Sequence, residues 1–223
     1  MKLKKSLLIS TIIFAILAII FTFVVKNVDV RPIGPNESSV GLAGINEAVH
    51  NALPFNELWY RVTKLSGYAI YLPPVFFVVL LLVQLIRRKS FKKIDFELKL
   101  AVGYILVVLA FYFIFDHAII INYRPVLING ALEPSYPSSH TFFAVSLCGA
   151  SILLVSHYLK LKHKAFFNTL LILLAIFNIA GRVIAGVHWA TDIFGGLLIG
   201  ATLLLAFATL LSRPRPEKAK EPA

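Results

Sequence analysis

The sequence predicts an all-α, polytopic membrane protein in which six transmembrane helices form one bundle. Of its 223 residues, 58% are hydrophobic and only 15% are charged, whereas soluble domains are usually about 45–50% apolar. Backbone groups that face lipid must be hydrogen-bonded within their own segment, so helices are the expected spanning element. The apolar runs do not alternate in hydrophobicity as the strands of a membrane barrel do.

Six apolar stretches are long enough to cross a bilayer, since a spanning helix needs about 20 mainly apolar residues. They are Leu7–Val25, Gly67–Ile86, Leu98–Ile119, Thr141–Leu159, Phe166–Ile184 and Ile193–Leu211. No small-residue cleavage site follows the first stretch, so we expect it to be retained rather than removed as a signal peptide. Residues 1–211 are therefore expected to form a single six-helix domain. The polar residues 212–223 are expected to form a disordered cytoplasmic tail.

The first loop, from about Lys26 to Ser66, is the longest. Apolar residues recur in it at roughly helical spacing: Ile45, Val49, Leu53, Leu58 and Val62. Pro54 interrupts this pattern, so one unbroken helix is not expected. We predict an interfacial helix that lies on the membrane surface rather than a seventh span. Pro73 and Pro74 are expected to kink the second span.

The distribution of Lys and Arg predicts the orientation of the bundle. Most of the 22 basic residues fall on one side, in the N-terminal segment, the second and fourth loops and the C-terminal tail. This side is expected to be cytoplasmic, together with both termini. The net charge of +11 is then mainly a topology signal. A nucleic-acid partner is not expected, because no basic surface gathered on one folded face is evident.

Ionisable residues are costly in membrane helices, and three groups of them lie near the predicted outer ends of the spans. The groups are His117 to Arg124-Pro125, Pro137-Ser138-Ser139-His140, and Arg182 with His188 and Asp192. Each has a simple explanation of its own, such as an arginine that reaches the headgroups or serines that cap a helix. All three groups are nevertheless predicted at the same face of the membrane.

Taken together, these residues are typical of a phosphate site. Arg124 and Arg182 supply planar guanidinium groups that match phosphate oxygens and stay charged at any working pH. Ser138, Ser139 and His140 open the fourth span, where free backbone N–H groups and the helix dipole favour an anion.

Two histidines and one carboxylate add the chemistry of phosphoryl transfer. His188 and Asp192 are four residues apart at the start of the sixth span, so they share one helical face. The carboxylate can hold one imidazole nitrogen and leave the other free for nucleophilic attack. His140 remains as a second imidazole that can protonate a leaving oxygen.

The three groups resemble the type 2 phosphatidic acid phosphatase family, whose signature is K-x6-R-P, P-S-G-H and S-R-x5-H-x3-D. Here the blocks read His117-x6-Arg124-Pro125, Pro137-Ser138-Ser139-His140 and Gly181-Arg182-x5-His188-x3-Asp192. The resemblance implies that His188 is a nucleophile that forms a phosphohistidine and that Asp192 orients it. It also implies that His140 is the acid for the leaving group. Phosphate would be held by Arg124, Arg182, Ser138, Ser139 and His117.

Three positions depart from that signature. His117 stands for a lysine and carries a positive charge only when protonated. Gly181 stands for a serine whose hydroxyl would help to bind phosphate. Ser139 stands for a glycine, which costs little unless the backbone there needs a positive φ. The first two departures are expected to weaken phosphate binding.

The resemblance implies a membrane phosphatase without metal or other cofactor, acting on a lipid phosphate in the bilayer. Undecaprenyl pyrophosphate, phosphatidylglycerol phosphate and phosphatidic acid all fit a site at the outer face, and the sequence does not choose among them or indicate an oligomeric state. Acids are too sparse around these blocks for a two-metal site; they are Asp116, Glu133 and Asp192. The alternatives are a catalytically silent member of the family and a transporter or binding protein for a phosphorylated ligand.

Overall fold

The computed structural model describes residues 2–158 and 161–212, and these are almost entirely helical. The α-helices are α1 (Lys2–Asn27), α2 (Ala43–Ala52), α3 (Glu57–Gly67), α4 (Leu72–Arg88), α5 (Phe96–Phe113), α6 (Ser139–Phe143), α7 (Gly149–Tyr158), α8 (Leu161–Ile184) and α9 (Ala190–Leu211). Short 3-10 turns occur at Pro35–Glu37, Tyr68–Tyr71 and Phe91–Lys93. Two π-helical turns, Ile114–Ala118 and Ala144–Cys148, extend α5 and join α6 to α7. In this part of the chain, β-pairing is limited to isolated bridges.

Six helical segments are long and apolar enough to cross a membrane, as predicted. They are Leu3–Asn27, Glu57–Arg88, Phe96–Ala118, Ser139–Ser156, His163–Ile184 and Ala190–Leu211. The second differs most from its prediction, because α3 runs through a 3-10 turn directly into α4 and lengthens the segment to 32 residues. Pro73 and Pro74 lie in the first turn of α4, just after that 3-10 turn. The predicted tail lies outside the described residues except for Ser212.

Residues 28–56, called the first outer segment because the sequence predicts them at the outer face, contain α2 and a break at residues 53–56 before α3 begins. The break coincides with Pro54, as the sequence predicts. Ile45 and Leu58 on these helices are exposed, whereas Asn46 is fully buried. Helix α2 therefore exposes Ile45 and Glu47 on one side, and its buried side carries an amide; its position at a membrane interface stays a prediction.

The fourth and sixth spans lie at the centre of the bundle. Helix α9 packs against α1, α6 and the π-helical turn, and α8 packs against α3 and α7. Gly196 and Gly200 permit the close approach, because a Cβ on Gly196 would lie 3.0 Å from the Ser138 carbonyl oxygen and one on Gly200 would lie 2.9 Å from Val145 Cβ. Small residues at helix contacts are the usual means of packing membrane helices closely. The bundle is apolar outside as well, with exposed residues such as Ile12, Leu106 and Ile176.

One end of the bundle gathers the residues predicted to form the site. The π-helical turn that extends α5 ends at Ala118. Residues 119–138 then form an irregular loop, and its two arms pair through a hydrogen bond from the Arg124 N–H to the Glu133 carbonyl. The helix therefore ends within one residue of Ile119, the predicted end of the third span. His117 and Arg124 do not share a helical face, because the helix stops one residue after His117.

The first outer segment supports the turn between α8 and α9. The Asn56 N–H donates to the Ala185 carbonyl at 3.0 Å. Gly186 has φ +58°, and a Cβ there would lie 2.6 Å from the backbone of Pro54. Only glycine fits both the positive φ and the close approach. The segment therefore packs against the turn that carries His188.

Candidate active site

Asp192 is held rigidly at the beginning of α9. Its Oδ2 accepts the Trp189 N–H at 2.9 Å, and its Oδ1 accepts from Asn122 Nδ2 at 3.2 Å. The first bond caps the helix, because a carboxylate near the N-terminus satisfies a free N–H and favours the helix dipole. The side chain of Asp192 is fully buried. Its orientation is therefore set by the protein.

His188 lies four residues earlier, in the turn before α9. Its Nδ1 is 3.5 Å from Asp192 Oδ2, an ion-pair distance rather than a well-formed hydrogen bond. Its Nε2 is 3.0 Å from Arg124 Nη1. Burial, followed by the charges of Arg124, Arg182 and His140, holds the pKa of His188 well below its usual value of 6.5. The imidazole is therefore neutral at neutral pH, with Nε2 as the nitrogen that accepts from Arg124.

Arg124 connects His188 to a carboxylate at the opening of the site. Its Nε donates to Glu133 Oε2 at 3.0 Å, and its Nη1 lies 3.4 Å from the Val187 carbonyl oxygen. The side chain of Arg124 is 15% exposed and that of Glu133 is 42% exposed. The guanidinium thus contacts the nucleophile candidate on one edge and a half-exposed acid on the other.

Arg182 and His140 form the second part of the site. Arg182 Nη2 lies 3.0 Å from His140 Nδ1, and the guanidinium carbon lies 5.3 Å from the centre of the Tyr60 ring. Arg182 is only 2% exposed, yet its Nε and Nη1 make no hydrogen bond to the described residues. Buried polar groups normally have partners, so these two donors are suited to an anionic ligand.

Helix α3 leaves room for the ring of His140 at Gly67. A Cβ on Gly67 would lie 2.6 Å from His140 Nε2, too close for the ring to stay where it is. The final residue of α3 therefore shapes the pocket of a residue on the fourth span. This contact is not evident from the sequence.

Two cavities meet at His188. A cavity of about 300 Å³ is lined by His188, Arg124, Asp116, Glu133 and Ser139 together with Tyr112 and Tyr136. An apolar recess of about 170 Å³ is lined by His188, Val49, Leu53, Val183, Ile193, Phe194 and Leu197 together with His50. His188 is therefore placed between a polar space and an apolar one. His140 and Arg182 do not line the polar cavity.

Ser138 and Ser139 have different surroundings. The Ser138 N–H donates to the Asp192 carbonyl at 2.9 Å, and its Oγ accepts from Thr141 Oγ1 at 3.3 Å. The prediction of a free N–H is wrong at Ser138, because α9 already uses this donor. Ser139 lines the polar cavity, as Ser135 does, so Ser139 rather than Ser138 is the predicted serine placed to meet a ligand there.

His117 is not brought together with the other site residues. Its side chain is 67% exposed, and its Nδ1 lies 3.4 Å from Asp116 Oδ2. Its ring packs beside Phe113. It does not line the polar cavity, whereas its neighbour Asp116 does.

Gly181 is required by helix packing. A Cβ at this position would collide with Thr63 Cγ2 and lie 3.6 Å from Trp59. The contact joins α3 to α8. A serine in this chain would push the two helices apart, so the departure at Gly181 reflects the position of α3.

The region that carries these residues matches a family model. Residues 116–216 match the PAP2 superfamily. Over these residues the chain is similar to that superfamily. The resemblance drawn from the three blocks is thereby confirmed, and the last helix lies within the match.

The fold is shared with a solved member of the PAP2 type. The crystal structure of the first transmembrane PAP2 type phosphatidylglycerolphosphate phosphatase from Bacillus subtilis aligns with a TM-score of 0.58 at 20% sequence identity. The alignment covers 90% of this chain and 94% of the other. At this identity the similarity shows the fold alone. No curated protein sequence matches the chain.

The candidate active site contains charged groups, but its described residues form no cluster of metal ligands. Groups of three or more His, Cys, Asp or Glu side chains placed to hold a metal do not occur among the residues that the structure describes. The groups suited to a phosphate are Arg124, Arg182 and Ser139. The two arginines can supply positive charge without a metal ion.

Reasoning from the sequence did not identify several residues that contact the candidate active site. Asn122 and Glu133 contact the predicted residues directly, and Asn46 reaches the site from the first outer segment. Glu133 is one of few acids in its region, and Asn122 lies two residues before Arg124. These are weak signals. Asn46 has none, because it lies outside the PAP2 match and about 145 residues from its partner Thr191.

Proposed function

We propose that this protein hydrolyses the terminal phosphate of a membrane lipid phosphate or pyrophosphate through a phosphohistidine on His188, without a metal ion. The observation that carries the proposal is the position of His188. It lies between an aligned carboxylate and an arginine, at the wall shared by a polar cavity and an apolar recess. The polar cavity suits a phosphate, and the apolar recess suits part of a lipid chain.

In the first step, His188 Nε2 attacks phosphorus and forms the N–P bond while the bond to the leaving oxygen breaks. Asp192 beside Nδ1 favours the positive charge that the imidazole acquires. Arg124 Nη1 must first release Nε2, since it donates to that atom in this structure. A phosphate oxygen that accepts from Arg124 would compete for the same donor.

His140 completes the proposed cycle. Its imidazole would give a proton to the leaving oxygen and then take one from the water that attacks phosphohistidine. Water forms the new P–O bond, the N–P bond breaks, and inorganic phosphate leaves. The two unpaired donors of Arg182 support its role as a phosphate ligand in both steps.

The substrate class follows from the two cavities and the membrane spans. Undecaprenyl pyrophosphate, phosphatidylglycerol phosphate and phosphatidic acid each combine a terminal phosphate with long hydrocarbon chains. The Bacillus subtilis protein is described as a phosphatidylglycerolphosphate phosphatase, which supports the second of these.

We also propose that residues 1–211 act as one domain, because the core is continuous from Ala18 to Phe207.

The distribution of basic residues supports an orientation with both termini in the cytoplasm and the site at the opposite face. Labelling of single cysteines in intact cells tests it. Glu133→Cys should react with a membrane-impermeant thiol reagent, and Lys92→Cys should not. The native Cys148 is buried and gives a low background. The reverse labelling pattern would place the site at the cytoplasmic face.

The activity is tested by phosphate release from a panel of these lipids with the purified protein in excess chelator. We expect turnover to persist in chelator, vanadate to inhibit it, and His188→Ala to abolish it in a protein that still folds. Loss of activity in chelator that magnesium restores would contradict the metal-free mechanism. Ligand binding without turnover on any lipid would favour the silent member or the transporter.

A further inference from the structure

A buried amide contacts the carboxylate that is proposed to orient the nucleophile. Asn122 is 1% exposed, and its Nδ2 donates to Asp192 Oδ1 at 3.2 Å. The other oxygen of that carboxylate is occupied by the Trp189 N–H and by the proximity of His188. Asn122 therefore holds the second oxygen of Asp192, and the Ser135 side chain also lies close to this carboxylate.

The orientation of the Asn122 amide is set by the first outer segment. Its Oδ1 accepts the Gly41 N–H at 3.3 Å. A backbone N–H can only donate, so the carbonyl end of the amide must face Gly41 and the NH₂ end must face Asp192. The flip that would turn an acceptor toward the carboxylate is thus excluded by the hydrogen-bond network itself.

Asn46 on α2 closes this network from the other side. Its Nδ2 donates to the Gly41 carbonyl at 2.8 Å and to Thr191 Oγ1 at 2.9 Å, and its Oδ1 accepts the Thr191 N–H. Asn122 Nδ2 also lies 3.3 Å from Thr191 Oγ1. Both amides therefore use two donors and one acceptor, and both are buried. A fully satisfied buried network of this kind holds its members in one arrangement.

We propose that Asn122 is a positioning residue that holds Asp192 against His188, and that the first outer segment, through Gly41 and Asn46, determines which end of the Asn122 amide meets the carboxylate. This inference rests on the proposed function. It adds a region outside the PAP2 match to the machinery that aligns the nucleophile. The first outer segment then sets part of the catalytic geometry, although it lies outside residues 116–216, which match the family model.

The substitution Asn122→Asp tests the donor with little change of shape. The introduced carboxylate can still accept from the Gly41 N–H, but it cannot donate to Asp192 while ionised. We expect kcat to fall by at least about tenfold with KM nearly unchanged, as for a displaced catalytic group. Asn46→Asp, one hydrogen bond further away, should give a smaller loss of the same kind.

The pH dependence separates positioning from a structural defect. The charged and titratable groups around this position are Asp192, His188 and Arg124. A carboxyl beside another carboxylate is protonated more easily, and its O–H can donate again. The difference in kcat between Asn122→Asp and the parent should therefore become smaller as the pH falls from about 8 to about 5. Asn168→Asp, the same change on α8 and outside this network, is the matched control and should show parental kcat at every pH.

A readout independent of turnover is the ¹⁵N NMR signal of the His188 imidazole, assigned by its loss in His188→Ala. The parent should show the tautomer with hydrogen on Nδ1, and Asn122→Asp should show a mixture. Parental kcat and an unchanged tautomer in Asn122→Asp would overturn the inference. If the parent hydrolyses no lipid phosphate, the proposed function fails, and the NMR signal alone decides the inference.

Discussion

The two histidines of the site are held in opposite ways. His188 lies in a turn, lines two cavities and contacts a carboxylate that two hydrogen bonds align. His140 lies on a central helix, touches Gly67 and contacts Arg182, whose other donors have no partner among the described residues. In the half of the site around His188, the protein itself supplies hydrogen-bond partners to Asp192 and to the Nε2 atom of His188. In the half around His140, the Arg182 guanidinium keeps two N–H donors without a partner among the described residues.

This difference indicates where a ligand contributes most. A buried cation without a counter-charge lowers stability, and an anion that meets it recovers that free energy on binding. Around His188 the fold instead aligns the nucleophile with Asp192 before any substrate binds. Substrate binding should therefore depend mainly on the Arg182 half, and the chemical step on both.

Among the substitutions that distinguish the two halves of the site, the largest effect is expected for Arg182→Met. Loss of the guanidinium should lower kcat/KM by about 10²–10³-fold, as for removal of a donor to transition-state charge. Thermal stability should stay the same or rise, because the variant removes a buried charge that lacks an acidic partner. A thermal melt and a kinetic assay on one preparation check both. Lower stability together with retained activity would mean that Arg182 is structural.

Arg124→Gln should affect the other half by changing its pH dependence. The positive charge of Arg124 helps to hold the pKa of His188 low, so its removal should raise that pKa. Protonated His188 cannot attack, and activity should therefore begin to fall at a higher pH on the acid side. A pH profile of kcat/KM measures the shift. Burial is the larger cause of the low pKa, so only part of the depression should be lost.

Gly67→Ala should disturb the His140 half alone. The added methyl would press on the imidazole, and we expect about a tenfold loss on a lipid phosphate, as for a misplaced catalytic group. A nitrophenyl phosphate should be affected less, because its leaving oxygen needs little protonation. Gly103→Ala is the control, since a Cβ there meets nothing within 4 Å. Equal losses on both substrates would argue against an acid role for His140.

Glu133→Gln should strengthen phosphate binding. The carboxylate occupies Arg124 Nε in this structure, and an incoming phosphate would compete for the same donor. We expect inorganic phosphate to inhibit the variant at roughly two- to fivefold lower concentration, within the range for a half-exposed ion pair. Glu57→Gln, which alters the exposed pair with Arg61, should leave inhibition unchanged. Weaker inhibition in Glu133→Gln would show that Glu133 positions Arg124 instead.

The smallest effect is expected for His117→Ala. The side chain is mostly exposed and does not line the polar cavity, so kcat and KM should stay within about twofold, as for most surface substitutions. A change in KM above that range would support the role in phosphate binding that the resemblance implies for His117.

The sequence was sufficient for the spans, because a stretch of about 20 apolar residues has few alternatives in a membrane. The sequence also predicts that His188 lies near Asp192, but not through a shared helical face. His188 lies in the turn before α9, and Asp192 lies in the first turn of that helix. Both are local properties of the chain. The path of residues 119–138, which brings Arg124 to His188 after the helix ends at Ala118, is not a local property and does not follow from the sequence.

The partners of the site residues were decided by packing between distant segments. Gly181 was interpreted as a lost hydroxyl until the position of α3 showed that a side chain would strike Thr63. Ser138 was expected to offer a free N–H, which the carbonyl of Asp192 already accepts. The amides Asn46 and Asn122 gain their meaning from residues far away in sequence, because a polar group buried at a helix junction must find its partner wherever the fold brings one.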